Sequence, residues 1–114
     1  RPWINGQYVD STSGKTFDDI DPATGNLLST VQVSLRNEID AAVGAAKAGF
    51  KVWSAMSGAE RGRILWKAAT IMRDRNDELA LLEAIDTGKP IAETSCVDVA
   101  SGYDALEFFA GMAS

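Results

Sequence analysis

The chain has 114 residues, 46% of them apolar and 24% charged, with a formal charge of −5. That is the composition of one soluble globular domain or a piece of one, and it argues against a disordered tail. No basic cluster and no apolar run of membrane-spanning length occur, so nucleic acid and membranes are not expected as partners.

The absence of histidine narrows the chemistry further. It excludes a Ser-His-Asp triad, a Cys-His pair and a histidine-ligated zinc. The single cysteine excludes an internal disulfide. With no signal peptide visible, a reducing, cytoplasmic setting is expected. The sequence opens at "RPWING" and stops on the apolar "FFAGMAS", which reads as a fragment of something longer.

Residues 1–33 are β-like. Trp3-Ile4 and Gln7-Tyr8 flank Asn5-Gly6, a two-residue hairpin signal. A second pair, "KTFDDID" and "NLLSTVQV", flanks Pro22-Ala23-Thr24-Gly25. In that turn proline presets one dihedral and glycine permits a positive φ.

From residue 34 to 114 the period is helical. Ser34 is the expected N-cap of a first helix whose stripe is Ile39, Val43, Ala46, Phe50 and Trp53. Ser57-Gly58-Ala59-Glu60 reads as a capping box, opening a helix with Ile64, Leu65, Ala68, Ile71 and Met72 inside. A third helix starts at Asn76 or Asp77, carries Leu79, Leu82 and Ile85 on one side, and ends at Gly88. A fourth runs from about Thr94 to the end, with Val97, Ala100, Leu106, Phe109 and Met112 expected to be buried. The fold class is α+β, N-terminal β-hairpins followed by about four helices. Each helical stripe is read as core.

Three features compete for chemistry. Thr87-Gly88-Lys89 looks like the tail of a phosphate loop, but Glu83 stands where the first glycine belongs and Pro90 follows the lysine. The stretch is instead a helix stop, with Gly88 as C-cap residue and Pro90 preventing continuation. Asp86 is then an acid facing the negative end of its own helix dipole, a conflict that a bound cation would remove. Asp18, Asp19 and Asp21 form either a solvated strand edge or part of an oxygen-rich cation site, since backbone carbonyls also serve hard cations. Cys96 sits between Glu93 and Asp98 with no histidine to activate it, so a structural or incidental role outweighs a nucleophilic one. Trp53 and Trp66 read as packing residues, and Trp3 as packing onto helices or onto further chain.

Taken in order, "WINGQYVDSTSGKTFDDIDPATGNLLSTVQV", "EIDAAVGAAKAGFKVWSAM", "ERGRIL", "DELALLEAIDTGKPIAET" and "ALEFFAG" resemble the N-terminal part of the NAD(P)-dependent aldehyde dehydrogenase superfamily. The resemblance runs essentially end to end, with Asp21 in place of the usual asparagine. Within the superfamily, the stretch from Arg73 to Gly111 looks most like bacterial betaine aldehyde dehydrogenase.

The resemblance implies that residues 1–114 are the N-terminal part of an α/β, Rossmann-like cofactor-binding domain of a longer, homo-oligomeric enzyme. That enzyme would oxidise an aldehyde, betaine aldehyde to glycine betaine, with NAD or NADP. The family's nucleophile, general-base and dinucleotide motifs do not occur here, so no catalytic or cofactor-binding residue is assigned and the 114-residue chain is expected to be inactive. The resemblance also implies a monovalent cation, K+, on backbone oxygens of Asp19 and Ile20 and on the acid Asp86. Many relatives carry a neutral residue at the position of Asp19. A non-catalytic helical interaction module is the alternative reading.

Overall fold

The computed structural model describes residues 1–113. The expected run of the last helix to Ser114 ends outside the described residues. The chain divides into two compact units: residues 1–20 with 26–55, and residues 21–25 with 56–114.

The first unit holds two antiparallel hairpins and one helix. β1 (Trp3–Ile4) pairs with β2 (Gln7–Tyr8), Trp3 opposite Tyr8. The connecting Asn5 and Gly6 both have positive φ, 52° and 80°, as a tight hairpin turn requires. The Trp3 and Tyr8 rings meet edge to face at 4.7 Å. β3 (Thr16–Ile20) pairs with β4 (Leu27–Gln32), with a register break between Asp19 and Ile20. Between the hairpins the chain is fastened by side chains, Ser11 and Ser13 each donating a hydroxyl to the Val33 carbonyl at 2.6 and 2.7 Å.

α1 (Arg36–Ala55) starts two residues beyond Ser34, so the cap is Leu35 and not the serine. The helix is capped from the other side. Glu38, in its first turn, accepts the Leu35 N–H at 2.8 Å. The same carboxylate accepts the Thr12 N–H and hydroxyl at 2.8 and 2.7 Å, and it is buried. The expected stripe is a correction too: Ile39, Val43 and Phe50 are exposed. Of that stripe Trp53 is half-buried, and Ala46 lies with Ala42 and Ala45 on the hairpin side of α1, against a shallow hollow edged by Trp3, Ile4 and Asn5.

The second unit is helical. α2 (Gly58–Asp74) opens with the expected capping box: Glu60 N–H donates to Ser57 Oγ at 3.3 Å, and Ser57 N–H donates to Glu60 Oε2 at 2.8 Å. α3 (Asn76–Thr87) follows after Arg75. α4 (Ile91–Glu93), a π turn (Thr94–Asp98) and α5 (Val99–Met112) make one continuous helical stretch. It begins three residues before Thr94, directly after Pro90, whose missing N–H costs nothing at a helix start.

The buried apolar side chains, among the described residues, are Ala69, Ala80, Val99 and Ala110. The core of this unit is therefore made by close approach of small residues. A Cβ on Gly62 of α2 would lie 2.7 Å from the Ala110 carbonyl oxygen of α5. The expected burial of Val97, Phe109 and Met112 is corrected: these side chains are exposed, as are Ile64, Trp66, Ile71 and Leu82. α5 meets α2 through its opposite side, through Gly62, Ala110 and the Gly102–Met72 contact. No described helix is long and apolar enough to cross a membrane.

Candidate functional site

The candidate residues fall in two places: the end of β3 in the first unit, and the 21–25 turn with the end of α3 in the second. The turn is built by its first residue. Asp21 accepts the Ala23 N–H at 2.8 Å and the Thr24 hydroxyl at 2.7 Å, and its carbonyl accepts the Gly25 N–H at 2.8 Å. The Thr24 hydroxyl, with the Ala23 amide behind it, holds the Asp21 carboxyl below the usual aspartate range. Aspartate in place of asparagine leaves this cap intact, because both side chains offer the accepting oxygen.

The turn packs on the helix stop. Gly88 has φ of 74° and donates its N–H to the Ala84 carbonyl at 3.0 Å, the left-handed C-cap expected from the sequence. The bare Cα of Gly88 faces the Pro22 ring, and a Cβ there would lie 2.9 Å from Pro22 Cγ. Thr87 folds its hydroxyl back onto the Glu83 carbonyl at 2.7 Å. Lys89 does more than face the carbonyl end of α3. Its ammonium bridges Asp98 of the π turn at 2.7 Å and Glu83 of α3 at 3.2 Å. These two carboxylates, Asp98 foremost, raise the lysine above its usual value and Lys89 lowers Asp98 in return.

Asp86 lies in the last turn of α3, in the second unit, and is exposed. Its carboxylate has no hydrogen-bond or ion-pair partner among the described residues. Asp19 and Ile20 are brought together at the register break that ends β3, in the first unit. The Asp19 carboxylate accepts the hydroxyl of Ser29, its partner across the ladder, at 3.1 Å. Among the described residues no group of three or more His, Cys, Asp or Glu side chains could hold a metal ion.

Cys96 is exposed in the π turn, with Ser95 Oγ 3.6 Å from its sulfur. The hollow edged by Trp3 and Ala42, about 290 Å³, contains no titratable lining residue. Three residues escaped the sequence reading: Glu38, Lys89 as a double ion pair, and the fully buried Thr94. For Glu38 the signal was present, a glutamate three residues after the true cap.

The comparisons with known proteins agree with one another. The family profile described as "Aldehyde dehydrogenase family" matches residues 8–114. PnpE from Pseudomonas sp. WBC-3, also solved with nicotinamide adenine dinucleotide, is 38% identical with a TM-score of 0.93 over 96% of this chain and 23% of its own. The gamma-glutamyl-gamma-aminobutyraldehyde dehydrogenase of Burkholderia cenocepacia J2315 is 37% identical, TM-score 0.93, over 97% of this chain and 23% of its own. The AldA indole-3-acetaldehyde dehydrogenase of P. syringae, solved with NAD+ and IAA, is 35% identical, TM-score 0.92, over 96% and 23%. The chain thus spans about a quarter of the length of the solved structures it matches.

Proposed function

This chain belongs to the aldehyde dehydrogenase family, and we propose that it is the N-terminal part of the cofactor-binding domain of an NAD(P)-dependent enzyme that oxidises an aldehyde to the acid. The observation that carries this reading is the match of nearly the whole chain, at 38% identity, to a relative crystallised with NAD. In such a reaction the nicotinamide accepts the hydride that leaves the aldehyde carbon.

The residues of this chain act as scaffold: two hairpins, α1, and the α2–α5 pair. α5 supports their membership of a larger body. It is apolar where it meets α2 and also carries Phe108 and Met112 exposed on another side, and exposed apolar side chains grouped in this way mark a face that is covered in a larger body.

As substrate we propose betaine aldehyde, supported by the resemblance of the stretch from Arg73 to Gly111. We place the enzyme in the cytoplasm as a homo-oligomer. A monovalent cation, K+, on the Asp19 and Ile20 carbonyl oxygens and the Asp86 carboxylate completes the proposal. What supports the cation is the unpartnered acid at the negative end of α3.

The test uses the longer protein that contains this sequence, with NAD or NADP and three aldehydes. Those are betaine aldehyde, indole-3-acetaldehyde and gamma-glutamyl-gamma-aminobutyraldehyde. Fastest NAD(P)H formation with betaine aldehyde is expected, and preference for either of the others would replace the substrate. Exchange of K+ for a large organic cation is expected to lower thermal stability in the parent and to leave an Asp86→Asn variant unmoved. The 114-residue chain alone is expected to form no NADH.

A further inference from the structure

The stretch from Pro90 to Met112 is helical throughout, yet it changes pitch in the middle. At the end of the π turn the Val99 N–H donates to the Thr94 carbonyl, five residues back instead of four. A π turn adds one residue to an α-helix, so everything downstream is advanced by one position against everything upstream.

Both sides of this turn are anchored. At its first residue, the fully buried Thr94 donates its hydroxyl to the Ala80 carbonyl of α3 at 2.9 Å. Downstream, α5 is fixed on α2 at Gly62–Ala110, and Arg73 of α2 pairs with Glu107 while lying 4.6 Å over the Tyr103 ring. Neither helix can slide by one residue without undoing its contacts, because interiors packed this closely do not deform continuously. Two further bonds grip the turn itself. Asn76, the first residue of α3, donates its amide to the Ser95 carbonyl at 3.2 Å. Asp98, the last residue of the turn, receives the Lys89 ammonium at 2.7 Å.

We propose that the Thr94–Asp98 π turn is a one-residue register adaptor between the α3 and α2 anchors. Asn76 and Asp98 are its positioning residues, and its effect is to aim Asp98 at Lys89, the residue that follows the Gly88 stop. The inference rests on this unit alone and does not depend on substrate or cofactor.

The test is deletion of a single residue from the full chain. Removing the exposed Val97 is expected to close the turn to an α-helix, keeping native helicity and cooperative unfolding. Removing Ala105 from α5 throws Leu106, Glu107 and Ala110 out of register and is expected to unfold the unit. Equal damage from the two deletions would overturn the proposal. A second variant, Asn76→Asp, keeps the shape but sets a carboxylate oxygen against the Ser95 carbonyl. Amide exchange at residues 97–99 is expected to quicken about tenfold while exchange in α2 stays unchanged, the loss of about one hydrogen bond. No change at residues 97–99, or equal acceleration across the whole unit, would remove Asn76 from the role assigned to it.

Discussion

Gly88 and Pro22 are in contact across 66 residues of sequence, and the contact exists because residue 88 has no side chain. A Cβ there would stand 2.9 Å from Pro22 Cγ, a ring atom that cannot swing aside. The glycine also has φ of 74°, where an L-residue is disfavoured. Gly25 shares the conformation, also 74°, but has open space where its Cβ would go. Gly25→Ala is therefore expected to cost only the backbone penalty, roughly 1 kcal/mol. Gly88→Ala adds overpacking and is expected to cost about 2–4 kcal/mol. Urea unfolding of both variants checks the order, and equal losses would show that Pro22 does not press on the stop.

A helical glycine can be asked the same question with the sign reversed. Gly44 of α1 has nothing within 4 Å of its missing Cβ. Gly44→Ala is expected to stabilise by up to about 1 kcal/mol through helix propensity. Gly62→Ala gains the same propensity but drives a methyl to 2.7 Å from a backbone oxygen, which cannot move without parting α2 from α5. A net loss of about 1–2 kcal/mol is expected. Thermal melts of the two variants should move in opposite directions.

Glu38 gives the fold an acid limit. The Thr12 amide first, then the Thr12 hydroxyl and the Leu35 amide, hold its carboxyl at about 2, well below the usual 4.5. A folded-state value below the unfolded one means that the unfolded chain takes up the proton first. The contribution of Glu38 is fully present above about pH 4.5 and is lost as the pH falls toward 2. Glu38→Gln is expected to lower stability at neutral pH and to flatten the pH profile between those values. Parallel profiles for parent and variant would show that the carboxylate is not what titrates.

Local elements were legible in the sequence because their signals are local. Asn5-Gly6, the Ser57–Glu60 box and the Gly88 stop act within four residues, and each stands where it was read. What depends on a distant surface was not legible. Periodicity marked Phe50 and Met112 as inward, yet both are exposed, because periodicity names a face and not what covers it. The π turn left no mark because an i→i+5 bond is a response to two anchors, Ala80 for Thr94 and α2 for α5. Of the candidate site, the helix stop and the turn were readable. The Pro22–Gly88 contact and the double pairing of Lys89 were not, since both join residues far apart in sequence or outside any motif.

The outer side of α5 leads to the last prediction. Phe108, Phe109 and Met112 are 64%, 60% and 66% exposed, and Phe108 and Met112 stand one helical turn apart on one face. Covering such a side chain contributes roughly 1.5–3 kcal/mol. In a two-fold dimer each contact is made twice, and these side chains are already about a third covered, so three per chain supply roughly 6–11 kcal/mol before the cost of association. Association costs about 4 kcal/mol or more, so this face supports a weak dimer, short of the roughly 8 kcal/mol net that micromolar affinity needs. The isolated chain is therefore expected to self-associate weakly, at about 100 micromolar and above, in sedimentation equilibrium. Phe108→Asp combined with Met112→Lys places two opposite charges on that face without touching the α2 side. The double variant is expected to sediment as a monomer with unchanged helicity. Persistence of the dimer in the variant would move the contact elsewhere, and a monomeric parent would mean that this face drives no association by itself.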